Sequence, residues 1–364
     1  MKTARITACL LALAVATLVL PQGARAQEAE IANELYTKGS YKENAFRKAP
    51  KRVFIQEFAV HCQVLGVGSD QSRGGYQFGG SYVGNTKTVL GVGLEGVSLE
   101  DLRALTDELY ADYVGQLEAA GYELVGAAEA IAHSEVLADW ELVEDPEPSA
   151  AQLAGYITVT PTGFSFPVRK VTKRGKRKGS VLTDNSPKIS GQLGDAVVAR
   201  VSVLVPFVTF KSGTAINLAG AGSKVKATTG VKLAASATGV VDEKSVGARL
   251  GQPAPSLRTY ATYATGKGAG ATAQGYITTA LKKDVAVPGV VKSEKIKEST
   301  GASRTTATSF GTNAYAPLFV SVEDRDSRAS HAVDAAGATY RAQVGAYAKT
   351  FLDAGLGMML GGGK

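Results

Sequence analysis

Cysteine is nearly absent from this chain. Two occur, Cys9 and Cys62, and the first lies in a segment expected to be removed. A single remaining thiol excludes an intramolecular disulfide, so packing must hold the fold. Histidine is as scarce: His61, His133 and His331 stand too far apart for the close ligand pair that zinc sites use. No G-x-S-x-G elbow and no H-E-x-x-H pattern occurs, which removes the signatures of α/β-hydrolases and zinc proteases. After residue 20 no apolar run is long enough to cross a bilayer as a helix.

What the first 26 residues do contain is an export address. Lys2 and Arg5 give a positive start, Ala8 to Leu20 is apolar, and Ala24-Arg25-Ala26 is a small-x-small cleavage site. Cleavage after Ala26 leaves Gln27 first, with no cysteine there to carry a lipid. The expected address is the bacterial periplasm. Losing Lys2, Arg5 and Arg25 lowers the formal charge from +7 to +4. That mild balance does not indicate nucleic acid, which calls for a domain-wide basic face. Abundant glycine predicts many turns and close backbone approaches.

Hydrophobic periodicity supplies the elements. Phe54, Phe58, Val60, Cys62 and Val64 share one parity and Glu57, His61 and Gln63 the other, a half-buried strand with Gln56 as the exception. On this reading His61 is exposed and Cys62 is a small buried hydrophobe. Residues 66–97 hold ten glycines and read as a loop or loose hairpin, with Thr86 to Leu90 strand-like at its end. Ser98 caps a helix from Leu99 to Ala120, whose Leu102, Leu105, Leu109, Tyr113 and Leu117 form one stripe. A strand at Tyr122 to Val125 and a helix at Ala127 to Leu137 follow. Strand, helix, strand implies two parallel neighbours in one sheet. Glu141 to Pro148 reads as an acidic connector. Later strands are expected at Ala196 to Phe210, Lys224 to Val241, Ser256 to Ala264, Ala273 to Leu281 and Ala316 to Val322. A helix from about Asp334 to Ala354 places Tyr340, Val344, Tyr347 and Phe351 on one face.

Three stretches look like sites. Gly91-x-Gly93-x-x-Gly96 resembles a dinucleotide fingerprint, but Gly96 precedes the cap Ser98, and the next strand ends at Gly126 rather than an acid. Turn chemistry is the better account. Asp139 to Glu147 and Glu323 to Arg328 are acidic, but arginines and a missing turn glycine spoil a calcium loop in the second. Arg169, Lys170, Lys173, Arg174, Lys176, Arg177 and Lys178 place seven cations in ten residues, just after the aromatic pair Phe164 and Phe166. Near anionic lipid each could contribute roughly 1 kcal/mol, so this run is the candidate contact for a polyanion or membrane surface. No catalytic residue, metal or cofactor is expected.

The order RVFIQEF (Arg52 to Phe58), LTDELYADYVGQLEAAGYELV (Leu105 to Val125), helix, GDAVVARVSV (Gly194 to Val203) resembles the periplasmic domain of the curli assembly/transport channel family (CsgG-type). It is similar also to the related amino-terminal domain of TolB. The resemblance implies a strand–helix–strand core and an envelope address. It carries over no functional residue, and the lipid-bearing cysteine of the channel family is replaced by Gln27.

The chain thus divides into a signal peptide 1–26, a polar lead-in 27–50, one α+β domain 51–355 with a Gly-rich loop at 66–97 and a basic loop at 169–180, and a flexible tail 356–364. The expected fold is a mixed sheet flanked by helices, β-rich in its second half, with the carboxyl-terminal helix packing back on the sheet. The expected function is non-enzymatic: a structural or binding component of a periplasmic or outer-membrane assembly, with an envelope partner or self-association. The alternative is a carrier of a lipid or other small apolar ligand. Nucleic acid is not an expected partner.

Overall fold

Segments with alternating apolar residues build the middle of a mixed sheet. In this computed structural model the described residues are 30–37, 42, 44–72, 75–76, 82–83, 86–150, 155–169, 184–217, 220–238, 256–267, 272–300 and 329–361. Strand β1 (Leu35–Tyr36) and helix α1 (Asn44–Lys48) precede β2 (Arg52–Gln63), which runs at once into β3 (Leu65–Ser72) and returns as β4 (Thr86–Glu95). Helix α2 (Leu99–Ala119), β5 (Glu123–Leu124) and helix α3 (Ala127–His133) follow. Next come β6 (Trp140–Glu144), β7 (Ser149–Ala150), β8 (Tyr156–Val159) and β9 (Ser165–Arg169). The second half adds α4 (Ser186–Gln192), β10 (Val197–Val205), β11 (Val208–Asn217), β12 (Gly220–Thr229), β13 (Tyr260–Lys267) and β14 (Thr272–Leu281). It closes with β15 (Lys295–Thr300), β16 (His331–Asp334) and helix α5 (Gly337–Leu360); shorter strands lie between.

The main sheet runs β1-β14-β13-β10-β2-β8-β7, with β5 beside the start of β2. β2 is parallel to β10 and β5, and the remaining pairs are antiparallel. Helices α2 and α5 cover one face, where Phe58, Val60, Val201 and Val203 meet Leu105, Tyr113, Val344 and Phe351 in one buried cluster. Each such side chain stabilises the fold by about 1.5–3 kcal/mol relative to exposure. Helices α3 and α4 cover part of the opposite, outer face, over Phe54 and Val198. The protein is therefore α+β, with a mixed sheet flanked by helices and its carboxyl-terminal helix packed back on that sheet.

Local chemistry sets the helix ends. Ser98 Oγ accepts from Asp101 N at 3.1 Å while Asp101 Oδ2 accepts from Ser98 N at 3.0 Å, a reciprocal capping box. All five residues of the expected stripe are buried.

Strand β2 departs from simple alternation at Gln56. Ala199 pairs with Ile55 but Arg200 pairs with Glu57, so Gln56 is an extra residue, a bulge. Parity switches there. Ile55 and Phe58 both face the helices, and Phe54 turns to the outer face instead of sharing a side with Phe58.

The glycine-rich stretch is largely strand. β3 and β4 pair antiparallel from Leu65↔Gly93 to Ser72↔Thr86, and β16 joins β4 in parallel. Gly91 and Gly93 are thus strand residues, and only Gly96, at φ +75°, makes the turn. A second sheet, β11-β12-β15, lies against this one. The absence of a side chain lets the layers touch: a Cβ on Gly66 would sit 2.2 Å from Val208, and one on Gly68 2.3 Å from Phe210. Thr88 and Ser223 share a buried hydrogen bond of 2.6 Å between these layers.

Other boundaries also move. The lead-in 27–50 is not merely polar, because Ile31 and Phe46 are fully buried and β1 joins the sheet. The tail expected from 356 is helix to Leu360, with Leu356 and Met359 in the core, since α5 begins three residues later and runs six further than expected. The acidic connector contains β6, paired with β9. The strand before α2 belongs to a different sheet from β5, so the parallel neighbour of β5 is β2. Pro206 divides the strand expected at 196–210 into β10 and β11. The 224–241 run breaks after Thr229 and again after Leu233. The signal peptide, the strand expected at 316–322 and the acidic run 323–328 lie outside the described residues.

Candidate functional site

A concavity lies where β6 and β9 fold over the edge of the main sheet. Ser165 to Arg169 pairs antiparallel with Trp140 to Glu144. A turn at Pro161 to Phe164, with Gly163 at φ +70°, drops Phe164 into the core edge. There four rings form a chain: Phe58 to Tyr110 at 5.1 Å, Tyr110 to Phe164 at 5.4 Å, and Phe164 to Phe166 at 5.7 Å between centroids. Beside them opens a cleft of about 350 Å³ whose apolar wall includes Ile55, Tyr110, Leu124, Val125, Leu142 and Phe164. That volume is at the lower end of the roughly 300–1,000 Å³ range of small-molecule sites. Leu124 is 37% exposed, one of three large hydrophobic residues so placed among those described. Burial raises the Tyr110 phenol above its ordinary pKa, with Glu118 adding to it, so it stays neutral.

The mouth of the cleft is acidic. Glu144 lines it. Thr162, also in the lining, donates from N and Oγ1 to the Asp107 carboxylate at 2.7 and 2.8 Å. Gly163 N donates to Asp145 Oδ1 at 2.8 Å. Arg103 is set among these groups, donating to Asp145 at 2.7 Å, Glu147 at 3.3 Å and Thr162 at 3.1 Å. One guanidinium thus pairs with two carboxylates, Asp145 and Glu147, and reaches Asp107 only through the Thr162 hydroxyl. The acidic connector of the sequence is this rim.

A second polar group crosses the outer face of four adjacent strands. Arg200 Nε and Nη2 donate to Glu57 Oε2 at 3.0 and 2.8 Å, and the Tyr260 hydroxyl donates to the same oxygen at 2.8 Å. Burial opposes the Arg200 charge, but Glu57 and Tyr260 outweigh it and raise its pKa further. Tyr276 donates to Asp184 at 2.7 Å. Burial works against the Asp184 anion, yet hydrogen bonds from Ser186 and Tyr276 and the Arg200 charge hold its carboxyl below the usual range. Burial and Asp184 together push Tyr276 up to about 12. The donors and acceptors of this ladder are directed at one another. Glu57 lies on the outer face with Arg200, whereas Asp107 belongs to helix α2 and binds Thr162, so the two carboxylates do not converge.

His61 and Cys62 point to opposite faces, but His61 is buried, not exposed. Its Nδ1 lies 2.9 Å from Thr158 Oγ1, and burial lowers its pKa to about 4 against an opposing effect of Glu57. Cys62 sits in the helix-side core, where burial pushes its thiol up to about 12, with Tyr340 acting weakly the other way. His133 ends α3, which stops four residues short of the expected Leu137, and His331 opens β16. Of the cationic run, Arg169 closes β9 opposite Trp140; Lys170, Lys173, Arg174, Lys176, Arg177 and Lys178 lie outside the described residues. Among the described residues no group of three or more His, Cys, Asp or Glu is placed to hold a metal ion, and no helix is long and apolar enough to cross a membrane.

The cleft itself is not visible in the sequence. Phe164 and Phe166 are noticeable there, but Tyr110 falls beside the main stripe of α2, and nothing local links it to either. Compared with known proteins, the chain matches no family model, no curated protein and no solved structure.

Proposed function

We propose that the protein is a non-enzymatic component of the bacterial cell envelope, exported with cleavage after Ala26, and a structural or binding part of a periplasmic or outer-membrane assembly. The observation that carries this reading is the second β layer. Neighbouring parallel strands β2 and β10 leave the main sheet at the same end and continue as β3 and β11 into two stacked three-stranded sheets. Among the described residues β11 and β15 each pair on one side only. An edge strand offers backbone groups to a partner or to a second copy of the chain. The mutual engagement of Glu57, Arg200 and Tyr260 fits a scaffold, and the resemblance to the curli channel family fits the address. Arg169 and the cations that follow it add a contact for an anionic surface.

The test uses the chain beginning at Gln27. Its mass in solution is measured, and photo-crosslinkers replace the exposed Lys211 and Lys297 in cells. A mass above one chain, or a discrete crosslinked partner in the envelope fraction, is expected. A strict monomer with no crosslink from either edge overturns the reading.

The cleft favours a second reading, a carrier of a small apolar ligand. Its walls come from the sheet, α2, α3 and β9 together, which is where such a carrier would hold its cargo.

A further inference from the structure

The chemistry of the cleft mouth narrows what a carrier of this shape would take. We propose that the cleft binds a small organic ammonium, a molecule with an alkyl or aryl body and one positively charged nitrogen; this rests on the carrier reading. The body matches the wall: Ile55, Tyr110, Leu124, Val125, Leu142 and Phe164 present aliphatic and aromatic surface, and Leu124 is left 37% exposed beside them. Covering that surface is favourable in proportion to the apolar area removed from water. The nitrogen matches the mouth. Glu144 lines it directly, Asp107 and Asp145 hold the backbone of Thr162 and Gly163 in the lining, and Glu147 stands behind Arg103. Among the described residues Arg103 is the one cation paired with this group, so the group itself is net negative although the whole chain carries a formal charge of +7. A cation drawn there responds to the mouth and not to the molecule at large. An anionic lipid is disfavoured by the same carboxylates.

Three ligands of one chain length separate the parts of this proposal: octylammonium, 1-octanol and octanoate, each titrated calorimetrically into the chain beginning at Gln27. Trp140, the single tryptophan, lies two residues before Leu142 of the wall and gives a second readout by fluorescence. Octylammonium is expected to bind at least about tenfold more tightly than 1-octanol, with octanoate weakest. Glu144→Gln, at an exposed position, weakens octylammonium several-fold and leaves 1-octanol unchanged. Ala128→Phe, also at an exposed lining position, fills the cleft and abolishes binding of all three. Equal binding of octylammonium and 1-octanol overturns the charge preference while the carrier reading stands. Binding of none overturns both. Octylammonium binding that Ala128→Phe leaves intact overturns the placement in this cleft.

Discussion

Glu57 and Arg200 meet across the parallel pair β2–β10 one step beyond the bulge at Gln56, with two N–H groups of the guanidinium on a single carboxylate oxygen at 2.8 and 3.0 Å. The extra residue is what brings them together. Regular alternation through Gln56 would instead turn Glu57 toward the helix-side core that holds Ile55. Both side chains keep about a third of their surface in water, Arg200 34% and Glu57 31%. Arg200→Met is therefore expected to cost about 1–2 kcal/mol, well short of the penalty for orphaning a fully buried ion. Denaturant unfolding measures it, and adding Glu57→Gln should recover part of the loss.

The stacked β layers make opposite forecasts for two glycines. Gly68→Ala places a Cβ against Phe210 and should destabilise the protein by about 1–3 kcal/mol. Gly115 sits within α2 with nothing within 4 Å of an added Cβ. There alanine should stabilise by about 0.5–1 kcal/mol, because glycine loses more backbone freedom on folding. Midpoints of thermal unfolding for the two variants should move in opposite directions.

His61 ties stability to acid pH. Its folded pKa is lowered from 6.5 to about 4, chiefly by burial. As pH falls the unfolded chain takes up this proton first, so the stability it contributes is complete above about pH 6.5 and lost progressively toward pH 4. Linkage puts the full loss on the order of 3 kcal/mol. His61→Gln should flatten the stability profile in that window. The decline at lower pH should remain, since Asp184, whose carboxyl is held below its ordinary range, contributes stability that disappears only as it is protonated.

Cys62 should be inert until the protein opens. Its side chain is fully buried and its pKa is pushed up to about 12, so the thiolate needed for reaction is scarce at neutral pH. A thiol reagent at pH 8 should label the native chain beginning at Gln27 no faster than it unfolds, and label it fully in denaturant. Rapid native labelling would contradict the packing of Cys62 beside Tyr340.

Helix α2 was legible from residues 98 to 121 alone, because a cap, an apolar period near 3.6 and a terminating glycine all act within one segment. The long apolar alternation of β10 and the aromatic spacing of α5 were legible for the same reason. Gln56 was not: it looks like an exception to a pattern, and only the register with Ala199 and Arg200 shows that the pattern itself changes sides there. Gly66, Gly68, Gly91 and Gly93 read as loop, since glycine carries no local preference for a strand, and the role of Gly66 and Gly68 depends on Val208 and Phe210 some 140 residues away. His61 read as exposed because alternation assigns a face without saying whether that face is covered.

By itself, then, the sequence determined the α+β class, the core helix and the central strands, all properties that neighbouring residues decide through period and capping. Tertiary structure alone decided the burial of His61, the strand roles of the glycines and the acidic aromatic cleft. Each of those depends on which distant segment arrives at a given place, and that is set by packing of the whole chain rather than by any stretch of it.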